Sequence, residues 1–444
     1  MEKSALKERV CHAIDSRRQD IIRIGKTILN QPEMGFKEEK TAALVKEVFS
    51  SLGLEFESEI AVTGVKATAK GRSSRLTAAV IGELDAVISP AHPTADPRTG
   101  AAHACGHNAQ SAAMLGAACG LVLSGAMGEL DGDVAFMAVP AEEFAELEYR
   151  EQLKKNGVIR FFGGKQEFIR LGAFNDIDLA MMVHSQGGVA ERKAFIHGKG
   201  SGFIGKTVRF AGREAHAGGA PEEGINALNA AMVALMCIHV QREVFKDEDG
   251  IRVHPIITKG GDLVNIVPAD VRMETYVRGK SLGAILSANE KVNRAIRAGA
   301  YSTGAGVEIN EIPGYLPLSQ DRNFGELFAL NAESLISAES VIRGVDMIGS
   351  TDMGDLSALM PVIQPTMGGF RGQAHSREFE IADEDAAYIV PAKAMAMTVV
   401  DLLADGASGG RKIKSGFTPA YQINEYLGMW HQFETPQLQV QGHI

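Results

Sequence analysis

Residues 76–86 read LTAAVIGELDA. The core of this stretch is apolar at consecutive rather than alternate positions, the pattern of a strand covered by helices on both faces, and an acid, Asp85, follows its end. The same signature recurs further on. VAFMAV (134–139) runs into PAEE, which carries Glu142 and Glu143; LAMMV (179–183) ends at His184; VIQPTMGGF (362–370) precedes His375. In open α/β sheets ligands gather beyond the carboxyl ends of the strands, so these side chains are predicted to converge at one sheet edge.

Outward from these runs, the amino-terminal segment reads as helical to about Gly53, with a break at NQPEMGF (30–36) where Pro32 and Gly35 interrupt two charged amphipathic stretches. From Gly200 to Gly314 the texture changes to strand FIGKTVRFAG, helix EGINALNAAMVALMCIHVQREV, strands IRVHPIITKG and VPADVRMETYVRG, helix SLGAILSANEKVNRAIRAGA and strand GVEINEI. This β-α-β-β-α-β order is the ferredoxin-like unit. The predicted class is therefore α/β: a mixed-sheet domain from residues 1–199 and 315–405, interrupted by a ferredoxin-like domain at 200–314. A last helix is expected from about Glu384 to Leu403, and the tail at 406–444 receives no role.

With 444 residues the chain is long enough for more than one core. Its 45 basic and 55 acidic residues leave a net charge of −10, which argues against nucleic acid or an anionic membrane as partner. The four cysteines are scattered, as reduced thiols in a cytosol would be, and the charged amino terminus lacks the apolar stretch of a signal peptide. SAAMLGAACGLVLSG (111–125) is too short and too rich in small residues to span a bilayer and reads as a buried helix. A cytoplasmic enzyme acting on a small molecule fits these features.

The chemistry centres on AAHACGHNAQ (101–110), where His103, Cys105 and His107 stand on alternate positions. On an extended loop a thiolate and one or two imidazoles could point the same way and hold a divalent metal; equally, the stretch could be a buried cysteine with histidines satisfied in a loop. In PAEE, Glu143 could bind metal while Glu142 stands over a metal-bound water as general base, or the pair could cap the next helix. Cys105, His107, Glu143, His184 and His375 together are enough ligands for two ions.

These residues, in this order, resemble the M20 metallopeptidases and amidohydrolases, in particular the branch of p-aminobenzoyl-glutamate hydrolases, N-acyl-amino-acid amidohydrolases and related dipeptidases. The resemblance runs through NQPEMGFKEEKTA, GELDAV, ACGHN, PAEE, MMVHS, GREAHAGGAPEEGINALNA, NIVPADVRMETYVRG, GSTDMGDLS and GQAHS. It implies that Cys105, His107, Glu143, His184 and His375 bind two divalent ions, manganese or zinc, that Glu142 is the general base and that Asp85 lies beside the metal shell. It also implies that the inserted domain is a lid and dimerisation module. His216 there would stabilise the oxyanion, Asn265 and Arg278 would contact substrate, and the protein would be a homodimer.

Two departures stand out. Many members of the branch read Cys-Gly-His-Asp with a further His two residues on, whereas this chain has Asn108 and Gln110; the neutral Asn supplies no carboxylate. Aminopeptidase-like members carry His-x-Asp where this chain has Glu83-Leu84-Asp85, which disfavours that ligand set. The expected reaction is metal-dependent hydrolysis of an amide in a small N-acyl or aryl amino-acid conjugate. The rivals are hydrolytic deamination of an aromatic amine on the same site and a binding protein that has lost catalysis.

Overall fold

The computed structural model describes residues 2–347, 349–433 and 437–440. Contacts divide the chain into two units. The first comprises residues 1–199, 319–347 and 355–420, and the second residues 200–318, 348–354 and 421–444.

The first unit opens with α1 (Lys3–Ser16), α2 (Arg18–Leu29) and α3 (Glu39–Ser51); α2 and α3 are separated at the expected Pro32 and Gly35, whereas the break between α1 and α2 at Arg17 was not expected. Its sheet is built from β1 (Phe56–Ile60), β2 (Gly64–Ala69), β3 (Thr77–Glu83), β4 (Asp133–Val139) and β5 (Leu179–Met181), with the short strand Val362–Ile363 at one edge. The spatial order is β1-β2-β4-β3-β5 and then Val362–Ile363. β1 and β2 are antiparallel to their neighbours, while β4, β3, β5 and the last strand run parallel, which makes the sheet mixed. All of β4 and all but the first residue of β3 are buried, as consecutive apolar positions demand when both faces are covered.

Against this sheet packs α4 (His107–Leu123), every residue of which is buried from His107 to Leu121. This is the helix expected from its alanine- and glycine-rich run. A long helix at the carboxyl side of the unit, Asp385–Gly416, is long and apolar enough to cross a membrane, but 89% of its most apolar window is buried inside the protein.

The second unit has β6 (Gly202–Ala211), α5 (Ala227–Val240), β7 (Arg252–Val253), β8 (Ile256–Lys259), β9 (Asp270–Gly279), α6 (Leu282–Thr303) and β10 (Gly306–Ile312). β9 pairs with β7 and β8 on one side and with β6 on the other; β6 then pairs with β10, all antiparallel. Chain order β6-α5-β7/β8-β9-α6-β10 with this pairing is the ferredoxin-like arrangement. Alternate residues of β9 are buried, the period of a sheet with one face on helices α5 and α6.

The contact boundaries depart from the sequence boundaries in three places. The second unit runs on from 314 to 318, and it also takes residues 348–354. The tail does not begin at 406: the helix leaves helical geometry at Ala404–Ala407, where Asp405, Gly406 and Ala407 have positive φ, and then resumes to Gly416. The Asp-Gly pair thus marks a kink rather than an end, held because Asp131 accepts from the Gly406 N–H at 2.7 Å and donates its own N–H to Leu403 O at 2.7 Å. Beyond residue 421, helix Ile423–Met429 precedes a strand, Gln437–Val440, that adds antiparallel to β10.

Candidate metal centre

Sheet register decides what meets at the strand ends. β3 and β4 run parallel with Glu83 opposite Val139, so Glu83-Leu84-Asp85 and Pro140-Ala141-Glu142-Glu143 leave the sheet at the same edge. β5 lies parallel on the other side of β3 and delivers His184 three residues beyond its end. α4 begins there too, with His107 as its first residue and Ser111, one turn on, donating to Glu83 O at 2.6 Å.

The expectation that His103, Cys105 and His107 alternate along an extended loop is corrected here. Cys105 lies in a turn and His107 opens a helix, because Gly106 between them has φ 84°. A Cβ at Gly106 would also stand 2.7 Å from Ser185 Cβ, whose hydroxyl donates to Cys105 O at 2.6 Å, so glycine is required twice over. His103 takes no part: it is buried, burial and then the neighbouring imidazoles push it down to about 3, and neither ring nitrogen has a hydrogen-bond partner.

Three groups of donor atoms form, each with its members within 4.8 Å of one another: Cys105, His107 and His184; Cys105, Glu143 and His375; and Glu83, His107 and Glu142. Cys105 Sγ is 3.5 Å from His184 Nε2, and His375 Nε2 is 3.1 Å from Glu143 Oε1. His107 Nε2 is 3.2 Å from Glu83 Oε2 and 3.9 Å from both Glu142 Oε2 and Glu143 Oε1. Ligands held about 2.0–2.3 Å from one ion stand roughly 3–4 Å from each other, which is the spacing found. The imidazoles are also set in the right tautomer. His107 Nδ1 lies 2.9 Å from Asp85 O and His184 Nδ1 2.9 Å from Ser185 O; a carbonyl only accepts, so each Nδ1 carries a proton and each Nε2 is the nitrogen left to face an ion.

The PAEE turn is held by residues that sequence reasoning missed. Ala141 has φ 55°, a left-handed backbone that costs about 1–3 kcal/mol for a residue with a side chain. Its N–H donates to the buried carboxylate of Glu38 at 2.9 Å, and its carbonyl accepts from Gly164 N at 3.3 Å. Arg150, itself fully buried, donates to Phe162 O at 2.5 Å and to the carbonyl of Glu143. Asp85 completes the clamp, accepting from Glu143 N at 2.8 Å through one oxygen and facing His107 Nδ1 at 3.2 Å through the other. His375 also sits at positive φ, 65°, with its N–H tied to Ala104 O at 2.8 Å.

Charge is concentrated here. Burial and the Glu143 carboxylate push the Cys105 thiol up, but His184 and His107 outweigh them and bring it to about 6. Burial likewise works against the Glu143 carboxylate, yet the hydrogen-bonded His375 leads the groups that hold it at about 2. His375 in turn is raised to about 11 by Cys105 and Glu143. Burial favours the neutral acid at Glu83, but Lys165 and then His107 hold it below the ordinary carboxylate range. The departures at Asn108 and Gln110 fall on the buried helix. Asn108 donates to Gly25 O at 3.2 Å and Tyr388 OH at 3.3 Å, tying α4 to α2 and to the start of the long helix.

The remaining sequence candidates belong to the second unit. His216 and Asn265 are exposed on adjoining segments, with His216 bridged to Ile266 and Ala217 N donating to Asn265 O at 2.9 Å. His216 Nδ1 accepts from the N–H groups of Gly218 and Gly219 at 3.1 and 2.9 Å, which leaves the proton on Nε2. Arg278 lies on β9, half-buried, its Nη1 3.2 Å from Ser350 Oγ and its guanidinium over the rings of Phe203 and Tyr276.

The sequence model of Peptidase family M20/M25/M40 matches residues 79–400. A Xaa-Arg dipeptidase of Mus musculus is 28% identical over 428 residues, covering 90% of each chain. An N-acyl-L-amino acid amidohydrolase of Geobacillus stearothermophilus is 24% identical over 322 residues, 70% of this chain and 81% of that one. Among solved structures, a dinuclear metal binding peptidase from the M20 family of Bacillus subtilis superposes with a TM-score of 0.64 at 21% identity, over 88% of this chain and 99% of that one. The last likeness is one of fold.

Proposed function

Because this chain belongs to Peptidase family M20/M25/M40 and is a metal-dependent hydrolase of amide bonds, we propose that it cleaves small amino-acid conjugates, N-acyl or N-aroyl amino acids and dipeptides, with two ions per subunit. The observation that carries the reading is the sharing of Cys105 between two of the donor groups, which suits one sulfur standing between two ions. The residues fit such ions: thiolate, imidazole and carboxylate suit zinc or manganese, and Glu83 Oε2 and His107 Nε2 are buried with no hydrogen-bond partner in the protein. Bound there, the ions would supply an activated water and polarise the scissile carbonyl.

In this reading Cys105, His107, Glu143, His184 and His375 are the ligands. Glu142 takes the proton of the attacking water and returns it to the leaving amine; its carboxylate lies within reach of His107 Nε2, beside the place where that water must sit. Asp85 keeps His107 in its ligating tautomer and fixes the Glu143 backbone. His216, with its proton on the exposed Nε2, is suited to donate to the oxyanion, a contribution of about 3–4 kcal/mol in comparable sites. Asn265 and Arg278 are assigned to the substrate's polar groups and carboxylate. A cytosolic, reducing setting suits the free Cys105 thiol.

We assign homodimerisation to the second unit. Met232, Met236 and Val240 are 57%, 69% and 64% exposed and recur every four residues along α5, an apolar face that a second copy would cover.

The test is a panel of N-acyl amino acids, N-aroyl amino acids and dipeptides, including those ending in arginine, assayed with added manganese or zinc for release of amine and carboxylate. Turnover of at least one class is expected. Ammonia release from aromatic amines without amide cleavage would replace the reading with a deaminase, and a metal-loaded protein inert on the whole panel would remove it.

A further inference from the structure

Glu83 ends β3 with a side chain that is completely buried. One of its oxygens accepts from Lys165 Nζ at 2.6 Å; Lys165, on the short helix Gly164–Arg170, is equally buried. The other oxygen, Oε2, has no hydrogen-bond partner. It lies 3.2 Å from His107 Nε2, yet the two atoms make no hydrogen bond, and His107 Nε2 is likewise unpartnered. Nδ1 of His107 faces the Asp85 carbonyl and carries a proton, which leaves Nε2 as the nitrogen turned toward Glu83. A buried carboxylate oxygen and a buried ring nitrogen held this close, with no hydrogen bond between them or to any other group, are both met by a cation placed between them. Glu142 completes the group within 4.8 Å.

We propose that Glu83 is a further metal-contacting residue, binding through Oε2 the ion that His107 holds, and that Lys165 is its positioning residue. Lys165 occupies Oε1, fixes the plane of the carboxylate and turns Oε2 toward the His107 side. The inference rests on the dinuclear reading of the site.

The experiment is calorimetric titration of chelator-stripped protein with Mn2+ or Zn2+ alone, with metal content measured after gel filtration. Wild type is expected to take two ions; failure to do so would sink the dinuclear reading itself. Glu83→Gln is expected to keep one ion at wild-type affinity and to bind the other at least tenfold more weakly. Lys165→Met is expected to weaken the same ion by ~10–100-fold, the range for groups that orient a ligand. Two ions at unchanged affinity in Glu83→Gln, beside a wild type that binds two, would overturn the role of Glu83 and leave the wider reading standing. If Glu83→Gln does not fold, the double variant Glu83→Leu/Lys165→Met, which removes both charges at similar volume, takes its place, and wild-type affinity for two ions in it would have the same force.

Discussion

Among the described residues, two lysine–glutamate pairs lie wholly inside, one in each unit, and both close at 2.6 Å: Lys165–Glu83 in the first and Lys206–Glu311 in the second. They differ in what else the carboxylate meets. Glu311 Oε1 also accepts from Asn289 Nδ2 at 2.5 Å and Asn293 Nδ2 at 2.7 Å, both on α6, so three donors meet on that one oxygen. That pair is closed, a strut between β6, β10 and the helix. Glu83 has the same cation at the same distance but keeps one oxygen unpartnered toward an unpartnered histidine nitrogen. A buried charge is ordinarily surrounded until nothing is unmet, so a carboxylate left half-paired in a core is arranged for something that arrives later.

The largest effect expected on the open side is kinetic. Glu142→Gln should bind metal as wild type does and lose about 10²–10⁴-fold in kcat, the usual worth of a positioned base. Steady-state kinetics with metal content measured on the same sample checks it; a near-normal rate would assign the proton to another group. The closed side should show the reverse profile. Lys206→Met/Glu311→Leu is expected to leave metal content untouched, so any loss of bound metal in that variant would erase the distinction between the pairs.

Stability separates the pairs next. Glu311→Leu alone strands Lys206 in the core and should cost ~3–5 kcal/mol in urea unfolding, while the double variant with Lys206→Met should return to within about 1 kcal/mol of wild type or exceed it. A double variant as unstable as the single would mean that the asparagines on α6 need the charge. For the open pair the relevant stability is metal-dependent: saturating ion at ~100 times its Kd should add about 2.7 kcal/mol to the folded state, and chelator should remove it. Cys105→Ser should shrink that increment, as read by melting with and without chelator, because Cys105 belongs to two of the three donor groups.

This contrast also marks what was legible in the sequence. Donor residues at the ends of apolar runs could be read, since a buried parallel strand announces itself by consecutive apolar positions and its carboxyl end is where ligands collect. The ferredoxin-like order could be read for the same reason, from strand and helix periods. Lys165, Arg150 and Glu38 could not. YREQLKKNGVIRFFGGKQEFIR (149–170) holds cations at 150, 154, 155, 160, 165 and 170, and of these Arg150 and Lys165 are buried whereas Lys154 and Lys155 are not. Nothing in the segment itself distinguishes them, because their burial is decided by partners outside it: the remote Glu83 for Lys165, the carbonyls of the PAEE turn just upstream for Arg150. The helix start at His107 was hidden in the same way, since Gly106 reads as loop until Ser185 is packed against it.

The smallest effect concerns a pair that is only half inside, an exposed arginine on a buried aspartate. Arg72 grips Asp131 with two bonds, Nη2 at 2.7 Å and Nε at 3.1 Å, and Asp131 also accepts from Gly406 N at the helix kink. The Arg72 guanidinium, then the Gly406 N–H, hold Asp131 at about 2, against about 3.9 for an unfolded aspartate. The folded-state value is depressed, so the unfolded chain binds the proton first; the stabilisation is whole above about pH 4 and drains away as pH falls toward 2. Asp131→Asn should therefore melt slightly below wild type at pH 7, with the gap narrowing between pH 5 and pH 3. Salt should narrow it too, as it screens the exposed Arg72 more than it screens the wholly buried pairs. A gap that stayed constant across this pH range would show that the charge of Asp131 does not hold the kink.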